Sequence, residues 1–250
     1  MRPMTTRRQP NPSRGIFETM LVVRGAPVAR DAHLSRLEAS LEAVYGVGLP
    51  ARARELVAKY AEGLELGRLR LTFVPGGDIE VERGEIDRSL HFPEDPISLR
   101  AHRVAGGLGC HKWADRSALP PSSQSEASIL VDGDEALEAD RANAFAVRKG
   151  ALFTPPLDGR ILPGVTRATV LELAGAEGIK ATESALTLAQ LRESEEVFLT
   201  NSIRGIESVG FVDGTSLPSE KPLTELLSTA LQTKWETKAA ARRRPLRASV

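Results

Sequence analysis

The sequence predicts a mixed α/β (α+β) protein of two domains, the first smaller than the second. Residues 15–82 show strand and helix patterns in the order β-α-α-β-β, which is typical of a small α/β domain. Residues 84–96 are polar and contain two prolines, so the pattern is interrupted there. Short β-branched runs dominate the rest of the chain. We therefore predict a small N-terminal α/β domain over residues 15–93 and a larger C-terminal domain over residues 94–237.

The elements of the small domain follow from the spacing of its apolar residues. Residues 15–24 are apolar and β-branched and precede a Gly-Ala-Pro turn, which predicts a strand. Asp31 is the predicted N-cap of a helix that runs to about Tyr45, because leucine and valine recur there every three to four residues. Residues 50–64 predict a second helix with proline at its start. Two strands around a Pro-Gly-Gly-Asp turn are predicted within residues 68–82.

The larger domain is predicted to consist mainly of strands. Helices are predicted at residues 166–176 and from Pro222 to about Trp235. The acidic stretch 132–140 is predicted to connect two strands, and the glycine-rich segment 105–111 leads into Lys112. The predicted strands are residues 97–104, 128–131, 143–147, 151–154, 197–200 and 206–212.

Composition limits the class of protein. Lysine plus arginine and aspartate plus glutamate both number 33, and this zero net charge disfavours a nucleic-acid binder. Cys110 is the single cysteine, so a disulfide framework is excluded and a reducing cytoplasm is expected. The sequence contains no membrane span and no signal-peptide apolar region. Residues 1–14 and 238–250 are basic and poor in apolar residues, which predicts a disordered arm and tail.

Three features in a fixed order suggest a site for pyridoxal phosphate (PLP). Lys112 supplies an amine that can form a Schiff base with an aldehyde. Glu138 lies next to a predicted strand and supplies a carboxylate for the protonated ring nitrogen. The turn around Gly164 and Thr166 opens a predicted helix, whose N-terminus can bind a phosphate. Taken singly, the three residues also fit a surface lysine, a loop acid and an ordinary helix N-cap.

Other polar residues extend this hypothesis. Asn201 and Ser202 lie in a predicted turn between two strands, where a hydroxyl can complete a phosphate site. Arg36 lies beside the apolar face of the first helix and can reach the phosphate, and His33 is predicted to be structural. Arg204 follows the turn and is a candidate for binding a substrate carboxylate. Simple turn chemistry and surface arginines remain the alternatives.

The order and spacing of these segments resemble the class IV aminotransferase family, the fold-type IV PLP enzymes. The resemblance extends from residue 15 to about residue 214 and is most specific over residues 153–167. The segments that carry it are GIFET (15–19), HLSRL (33–37), KWADR (112–116), EADRANAF (138–145), LFTPP (152–156), ILPGVTR (161–167) and VFLTNS (197–202).

The resemblance implies a two-domain homodimer with PLP between the domains. It implies that Lys112 is the Schiff-base lysine and that Glu138 pairs with the pyridine nitrogen. Arg36 is implied to bind the phosphate. The further residues implied to contact the cofactor are Leu162, Gly164, Val165, Thr166, Asn201 and Ser202.

Within the family, the motifs lean towards 4-amino-4-deoxychorismate lyase. The GIFET, HLSRL and KWADR segments are similar to those of the lyase, and Ser117 stands where branched-chain transaminases carry a tyrosine. The lyase releases pyruvate and forms 4-aminobenzoate, and it pairs functionally with an aminodeoxychorismate synthase. The alternatives are a branched-chain or D-amino-acid transaminase and a non-catalytic relative. Thr19 and Glu18 are weaker candidates near the substrate, and no metal is expected.

Overall fold

In a computed structural model of the chain, residues 10–121 and 123–242 are described. The first part forms a four-stranded antiparallel sheet in the order β2-β1-β3-β4. Two helices, α1 (Arg30–Tyr45) and α2 (Ala53–Ala61), pack against this sheet. The strands are β1 (Ile16–Val23), β2 (Ala26–Pro27), β3 (Leu66–Phe73) and β4 (Ile79–Glu85). These elements agree with the predicted β-α-α-β-β order, apart from the short strand β2.

Strand β1 separates two environments. Ile16 and Met20 pack in the same core cluster as the leucines of α1, and Glu18 lies between them on that face because side chains alternate along a strand. Leu21 on the opposite face joins a second cluster with Phe145. The alternation of side chains along β1 therefore places the charged residue Glu18 in the core of the small domain.

The second sheet contains a closed ring of six strands. The ring runs β8-β12-β13-β5-β6-β7 and closes through pairing of β7 with β8. Strands β9, β10, β11 and β14 extend it at three places. The strands are β5 (Ile97–Arg103), β6 (Glu126–Asp132), β7 (Glu135–Ala139), β8 (Ala142–Arg148), β9 (Ala151–Thr154), β10 (Ala181–Glu183), β11 (Leu186–Thr187), β12 (Glu196–Asn201), β13 (Gly205–Val212) and β14 (Thr215–Ser216).

Three helices complete the larger part of the chain: α3 (Val165–Ala176), α4 (Leu188–Arg192) and α5 (Pro222–Arg242). A core cluster that includes residues of β1, β8, β12, α3 and α5 joins the two sheets. The chain passes from the first sheet to the second between Glu85 and Ile97. None of the helices in the described part of the chain is long and apolar enough to cross a membrane.

The acidic stretch 132–140 differs from its prediction. It contains strand β7, which pairs with both β6 and β8. Gly133 has a φ of 65° and permits the tight turn that brings Glu135 back beside Asp132. Residues 136–139 are all buried, so the strand has no alternating pattern that the sequence could show. Short β10, β11, β14 and α4 were also not predicted.

The ends of the elements differ in smaller ways. The N-cap of α1 is Ala29, with a φ of 49°, and Asp31 lies in the first turn. The prediction of disorder was wrong for Pro12–Arg14, a short 3-10 helix capped by Asn11. It was also wrong for residues 238–242, because α5 continues to Arg242. The rest of the predicted arm and tail lies outside the described residues.

Candidate active site

Lys112 lies where the two sheets meet. The backbone N–H of Phe17 donates to the Lys112 carbonyl at 2.9 Å, and that of Ala114 donates to the Gly15 carbonyl at 3.0 Å. These bonds attach the lysine segment to the start of β1. The Lys112 Nζ consequently lies 5.0 Å from the centre of the Phe17 ring.

The amine of Lys112 is held in a state that favours nucleophilic chemistry. Burial and the charge of Arg36 lower its pKa to about 8, although Glu18 and Glu138 oppose the shift. A substantial fraction of the amine is therefore neutral near neutral pH, as an amine that attacks an aldehyde must be.

Glu138 lies on β7 and is buried. Its Oε2 accepts hydrogen bonds from the Leu162 backbone N–H at 3.1 Å and from Asn143 Nδ2 at 3.4 Å. Burial raises its pKa to about 7, against the opposing influence of the Leu162 N–H and the Lys112 charge. A positively charged ring nitrogen next to this carboxylate would favour its ionised form.

Asn143 on β8 fixes the turn that leads into α3. Its Nδ2 also donates to the Leu162 carbonyl at 2.9 Å. A Cβ atom on Gly164 would lie 1.9 Å from Asn143 Oδ1. Only glycine therefore fits at this turn, and Asn143 ties the turn to Glu138.

The N-terminus of α3 faces the cleft with the features of an anion site. Gly164 is its N-cap and makes no side-chain capping bond. The first N–H groups of a helix have no acceptor within it, so they are available to a phosphate. Thr166 Oγ1 and Ser202 Oγ lie 3.4 Å apart, and Arg36 Nη1 donates to the Pro163 carbonyl at 2.8 Å. Two hydroxyls and a guanidinium thus meet at one helix terminus.

Arg36 is anchored by Glu18, which was predicted to lie near the substrate. The Glu18 carboxylate is 1% exposed and accepts from Arg36 Nε at 2.7 Å and Arg36 Nη2 at 2.8 Å. His33 Nδ1 lies 2.8 Å from the same carboxylate, in agreement with its predicted structural role. Glu18 therefore contacts the predicted phosphate residue, and the prediction of a substrate contact was wrong.

Two further candidates for substrate contact lie outside the cleft. Arg204 Nη1 is 2.9 Å from the buried Glu207 carboxylate and 3.3 Å from the Gln124 carbonyl. Arg204 Nη1 is held by this ion pair, and Arg204 is not among the residues that line the cleft, so its role as a carboxylate clamp stays a prediction. Thr19 is half-buried on β1 and does not line the cleft.

Asn201 has a structural role in the turn that carries Ser202. Its Nδ2 donates to Glu207 at 2.9 Å, and its Oδ1 accepts from the backbone N–H groups of Ile203 and Arg204. The side chain therefore holds the turn in the conformation that brings the Ser202 hydroxyl to Thr166.

The cleft brings together most of the predicted residues. Arg116, Arg141 and His111 also line it and had not been assigned a role. Arg116 is exposed and lies four residues after Lys112 in the sequence. It donates a hydrogen bond to the Asp140 carbonyl. The predicted residues along this cleft are Arg36, Lys112, Glu138, Leu162, Gly164, Val165, Thr166, Asn201 and Ser202.

These residues fit PLP in the kind of group that each presents. An amine with a lowered pKa, a buried carboxylate, and an uncapped helix terminus with hydroxyls and an arginine correspond to the aldehyde, the ring nitrogen and the phosphate. The Gly164 turn, which has no room for a side chain, brings backbone N–H groups to the cleft.

Comparison with known proteins decides the family. The amino-transferase class IV family model matches residues 122–210, which include Glu138, Asn143 and the α3 turn. The resemblance to the class IV aminotransferase family is therefore confirmed. This family is PLP-dependent, so the predicted family, fold class and cofactor are confirmed.

Two curated relatives of this chain are aminotransferases. D-alanine aminotransferase of Bacillus licheniformis is 25% identical over an alignment of 250 positions. The alignment covers 87% of this chain and 86% of that protein. A putative branched-chain-amino-acid aminotransferase of Methanocaldococcus jannaschii is 36% identical over 118 residues, covering 45% of this chain and 41% of that one. The second match therefore spans less than half of the relative's length.

Two solved structures share the fold. A putative 4-amino-4-deoxychorismate lyase of Legionella pneumophila has a TM-score of 0.79 and 20% identity, and the match covers 88% of this chain and 91% of that one. A hypothetical aminotransferase of Mycobacterium tuberculosis in its PLP-bound form has a TM-score of 0.76 and 23% identity, covering 94% and 96%. The fold of this chain is thus shared with both of these structures.

Proposed function

We propose that the protein is a PLP-dependent 4-amino-4-deoxychorismate lyase. The reaction converts one substrate molecule into 4-aminobenzoate and pyruvate, so its atoms balance without a second substrate. Aromatisation of the ring drives the carbon–oxygen cleavage. The resemblance of the GIFET, HLSRL and KWADR segments to those of the lyase supports this choice within the family.

The observation that carries the proposal is the position of the KWADR segment. Lys112 and Arg116, its two ends, line the same cleft. Arg116 is exposed there, and a guanidinium is suited to binding a carboxylate. The proposed substrate has two carboxylates. Ser117, which replaces the tyrosine of branched-chain transaminases, is also exposed.

The residues of the cleft have separate roles in this proposal. When bound, PLP supplies an electron sink for the negative charge that develops on the substrate carbon. Glu138 holds the proton of the ring nitrogen by charge pairing. Arg36, the α3 N-terminus and the hydroxyls of Thr166 and Ser202 bind the phosphate. The neutral amine of Lys112, released from the cofactor, takes the proton from the carbon that bears the substrate nitrogen.

A transaminase is the second candidate. The match to D-alanine aminotransferase over 87% of this chain favours it. In that case Lys112 would return its proton to the cofactor, and a keto acid would be released. Both activities use the same cofactor residues and differ in the groups that bind the substrate. A non-catalytic relative is less well supported, since Lys112, Glu138 and Thr166 line one cleft.

The remaining proposals concern the setting of the reaction. We propose a cytoplasmic homodimer that receives its substrate from an aminodeoxychorismate synthase. Light scattering on the purified protein measures the dimer directly. Addition of a synthase together with its substrates tests whether the two enzymes work in sequence.

The proposal is tested by following 4-aminobenzoate after addition of enzymatically generated aminodeoxychorismate to the purified protein with PLP. We expect product from the wild type, none from Lys112→Ala, and wild-type rates from the exposed control Lys59→Ala. Alanine or leucine with 2-oxoglutarate tests the transaminase. Bound PLP with keto-acid formation but no 4-aminobenzoate would replace the lyase by the transaminase.

Arg116→Ala sharpens the test of substrate class. Loss of a charge-assisted carboxylate contact should raise KM for aminodeoxychorismate by about tenfold with a smaller change in kcat. Arg103→Ala is the matched control, because Arg103 is exposed and does not line the cleft. Equal KM values for the two variants would remove Arg116 from the substrate site.

A further inference from the structure

Glu18 and His33 lie behind the cleft and have no role in the proposed chemistry. Glu18 comes from β1, and His33 and Arg36 come from α1, three residues apart on the same helix face. The side chains of Glu18 and His33 are 1% and 2% exposed, whereas that of Arg36 is 10% exposed and reaches the cleft. The three form a continuous buried line towards the α3 N-terminus.

The contacts of Arg36 fix its orientation. Glu18 accepts from Nε at 2.7 Å and from Nη2 at 2.8 Å, which is the two-bonded fork typical of arginine and carboxylate. Nη1 donates to the Pro163 carbonyl at 2.8 Å. A guanidinium has five N–H donors, so about two remain, both on the terminal nitrogens. With three bonds fixing the plane, these two are available at the turn before α3.

The charge state of Glu18 makes this fork persistent. Burial alone would raise its pKa, but the Arg36 charge and the hydrogen bonds from His33 and Arg36 lower the pKa to about 2. His33 is buried, and that burial lowers its pKa, so it is neutral and donates Nδ1–H to the carboxylate. Glu18 therefore stays ionised at neutral pH and well below it.

A buried ion pair of this kind contributes more to geometry than to stability. Removing two charges from water costs free energy that their attraction barely offsets. The pair does hold a long, flexible side chain in one rotamer before any ligand arrives. Preorganisation of this type increases affinity because the ordering cost is not incurred on binding.

We propose that Glu18 and His33 are positioning residues for phosphate recognition: through Arg36, they direct the two remaining N–H donors at a phosphate monoester bound at the α3 N-terminus. Glu18 fixes the guanidinium, and His33 fixes Glu18. This inference rests on the proposed role of Arg36 in binding the PLP phosphate. It predicts that the pair affects binding of the cofactor phosphate much more than binding of the aldehyde and ring.

The test compares PLP with pyridoxal, which has the same aldehyde and ring but no phosphate. Dissociation constants for both are measured on the apo protein by absorbance titration. In Glu18→Gln we expect PLP affinity to fall by about ten- to a hundredfold and pyridoxal affinity by less than about threefold. Glu38→Gln is the matched control, because Glu38 is an exposed glutamate on α1, the helix that carries His33 and Arg36.

The His33 pair gives an independent measurement if Glu18→Gln does not fold. His33→Asn keeps a donor for the carboxylate and should retain the wild-type ratio of the two affinities. His33→Ala removes the donor and should lower PLP affinity by about threefold to tenfold, again without an equal loss for pyridoxal. Circular dichroism verifies the fold of each variant.

Three results would overturn the inference. Equal losses for PLP and pyridoxal would show that Glu18 acts only on the structure of the site, and unchanged affinities would show that Arg36 needs no support. A wild type that does not prefer PLP over pyridoxal would remove the premise and the inference together. Phosphate-dependent binding without lyase or transaminase activity would leave the inference intact and refute only the proposed function.

Discussion

Two buried glutamates near Lys112 have opposite electrostatic properties. Glu18 has a pKa of about 2 and Glu138 a pKa of about 7, although both are almost inaccessible to water. Glu18 contacts a guanidinium and an imidazole, whereas the described partners of Glu138 are a backbone N–H and an amide. Burial raises the pKa of any carboxyl, so the partners decide the outcome. The comparison indicates that Glu18 already has its cation and that Glu138 is suited to receive one from the cofactor.

The largest effect is expected when Glu138 loses its charge. Glu138→Gln should lower kcat by at least about a hundredfold, because an amide cannot hold the proton of the ring nitrogen by charge pairing. PLP affinity should change much less, since the phosphate contacts remain. Steady-state kinetics and cofactor titration measure both. Glu177→Gln is the exposed control, and a kcat within about twofold of wild type would refute the assigned role.

Gly164→Ala tests how Glu138 is connected to the phosphate turn. The new Cβ would collide with Asn143, which also contacts Glu138 and Leu162, so the turn must shift. We expect PLP affinity to fall by about tenfold and the free energy of unfolding by about 1–3 kcal/mol. Gly175→Ala in the same helix has open space and should stabilise the protein by about 0.5–1 kcal/mol. Similar results for both would mean that the contact with Asn143 is unimportant.

Both glutamates raise the pKa of Lys112, which gives a pH prediction. The neutral amine reacts with PLP, and its fraction rises with pH through a midpoint of about 8. The rate of cofactor attachment should therefore rise about fivefold between pH 7 and pH 8, rise about twofold more between pH 8 and pH 9, and then level off. Removing either negative charge should move the midpoint to lower pH. Stopped-flow absorbance on wild type, Glu18→Gln and Glu138→Gln measures this, and Glu38→Gln should match the wild type. A midpoint that moves upward would contradict the assignment.

The smallest effect on activity is expected at a third buried glutamate, Glu207. Its partner Arg204 does not line the cleft, and Arg141 and Asn201 remain beside the carboxylate when Arg204 is removed. Arg204→Ala should lower the free energy of unfolding by about 1–3 kcal/mol and leave KM within about threefold of wild type. Thermal unfolding and kinetics measure the two effects. A rise in KM as large as that of Arg116→Ala would support Arg204 as a substrate residue.

Much of the fold was predictable because its signals are local. The apolar period of α1 and the alternation of β3 identify these elements without tertiary information. Strand β7 was missed because its acidic residues are typical of a loop, and only its pairing with two neighbouring strands makes it a strand. Short strands such as β11 depend on a partner in the same way.

The site residues show the same difference between local signals and signals that depend on tertiary contacts. The family motifs identified Lys112, Glu138 and the Gly164 turn, and the chain brings all of them to one cleft. Glu18 was misassigned, although a charged residue in an otherwise buried strand is a signal that it needs a partner. The pairing of Arg204 with Glu207 was not predicted, because it is not visible in the sequence pattern.

By itself, the sequence determined the order of the longer elements, the family resemblance and the type of chemical group at each site position. These are properties of short segments, in which residue type and spacing are sufficient. Only the tertiary structure decided which charges meet: Arg36 with Glu18, Arg204 with Glu207, and Glu138 with no described cation in ion-pair contact. Partners that are distant in sequence set the pKa of a buried group, because its electrostatic energy depends on distances in space.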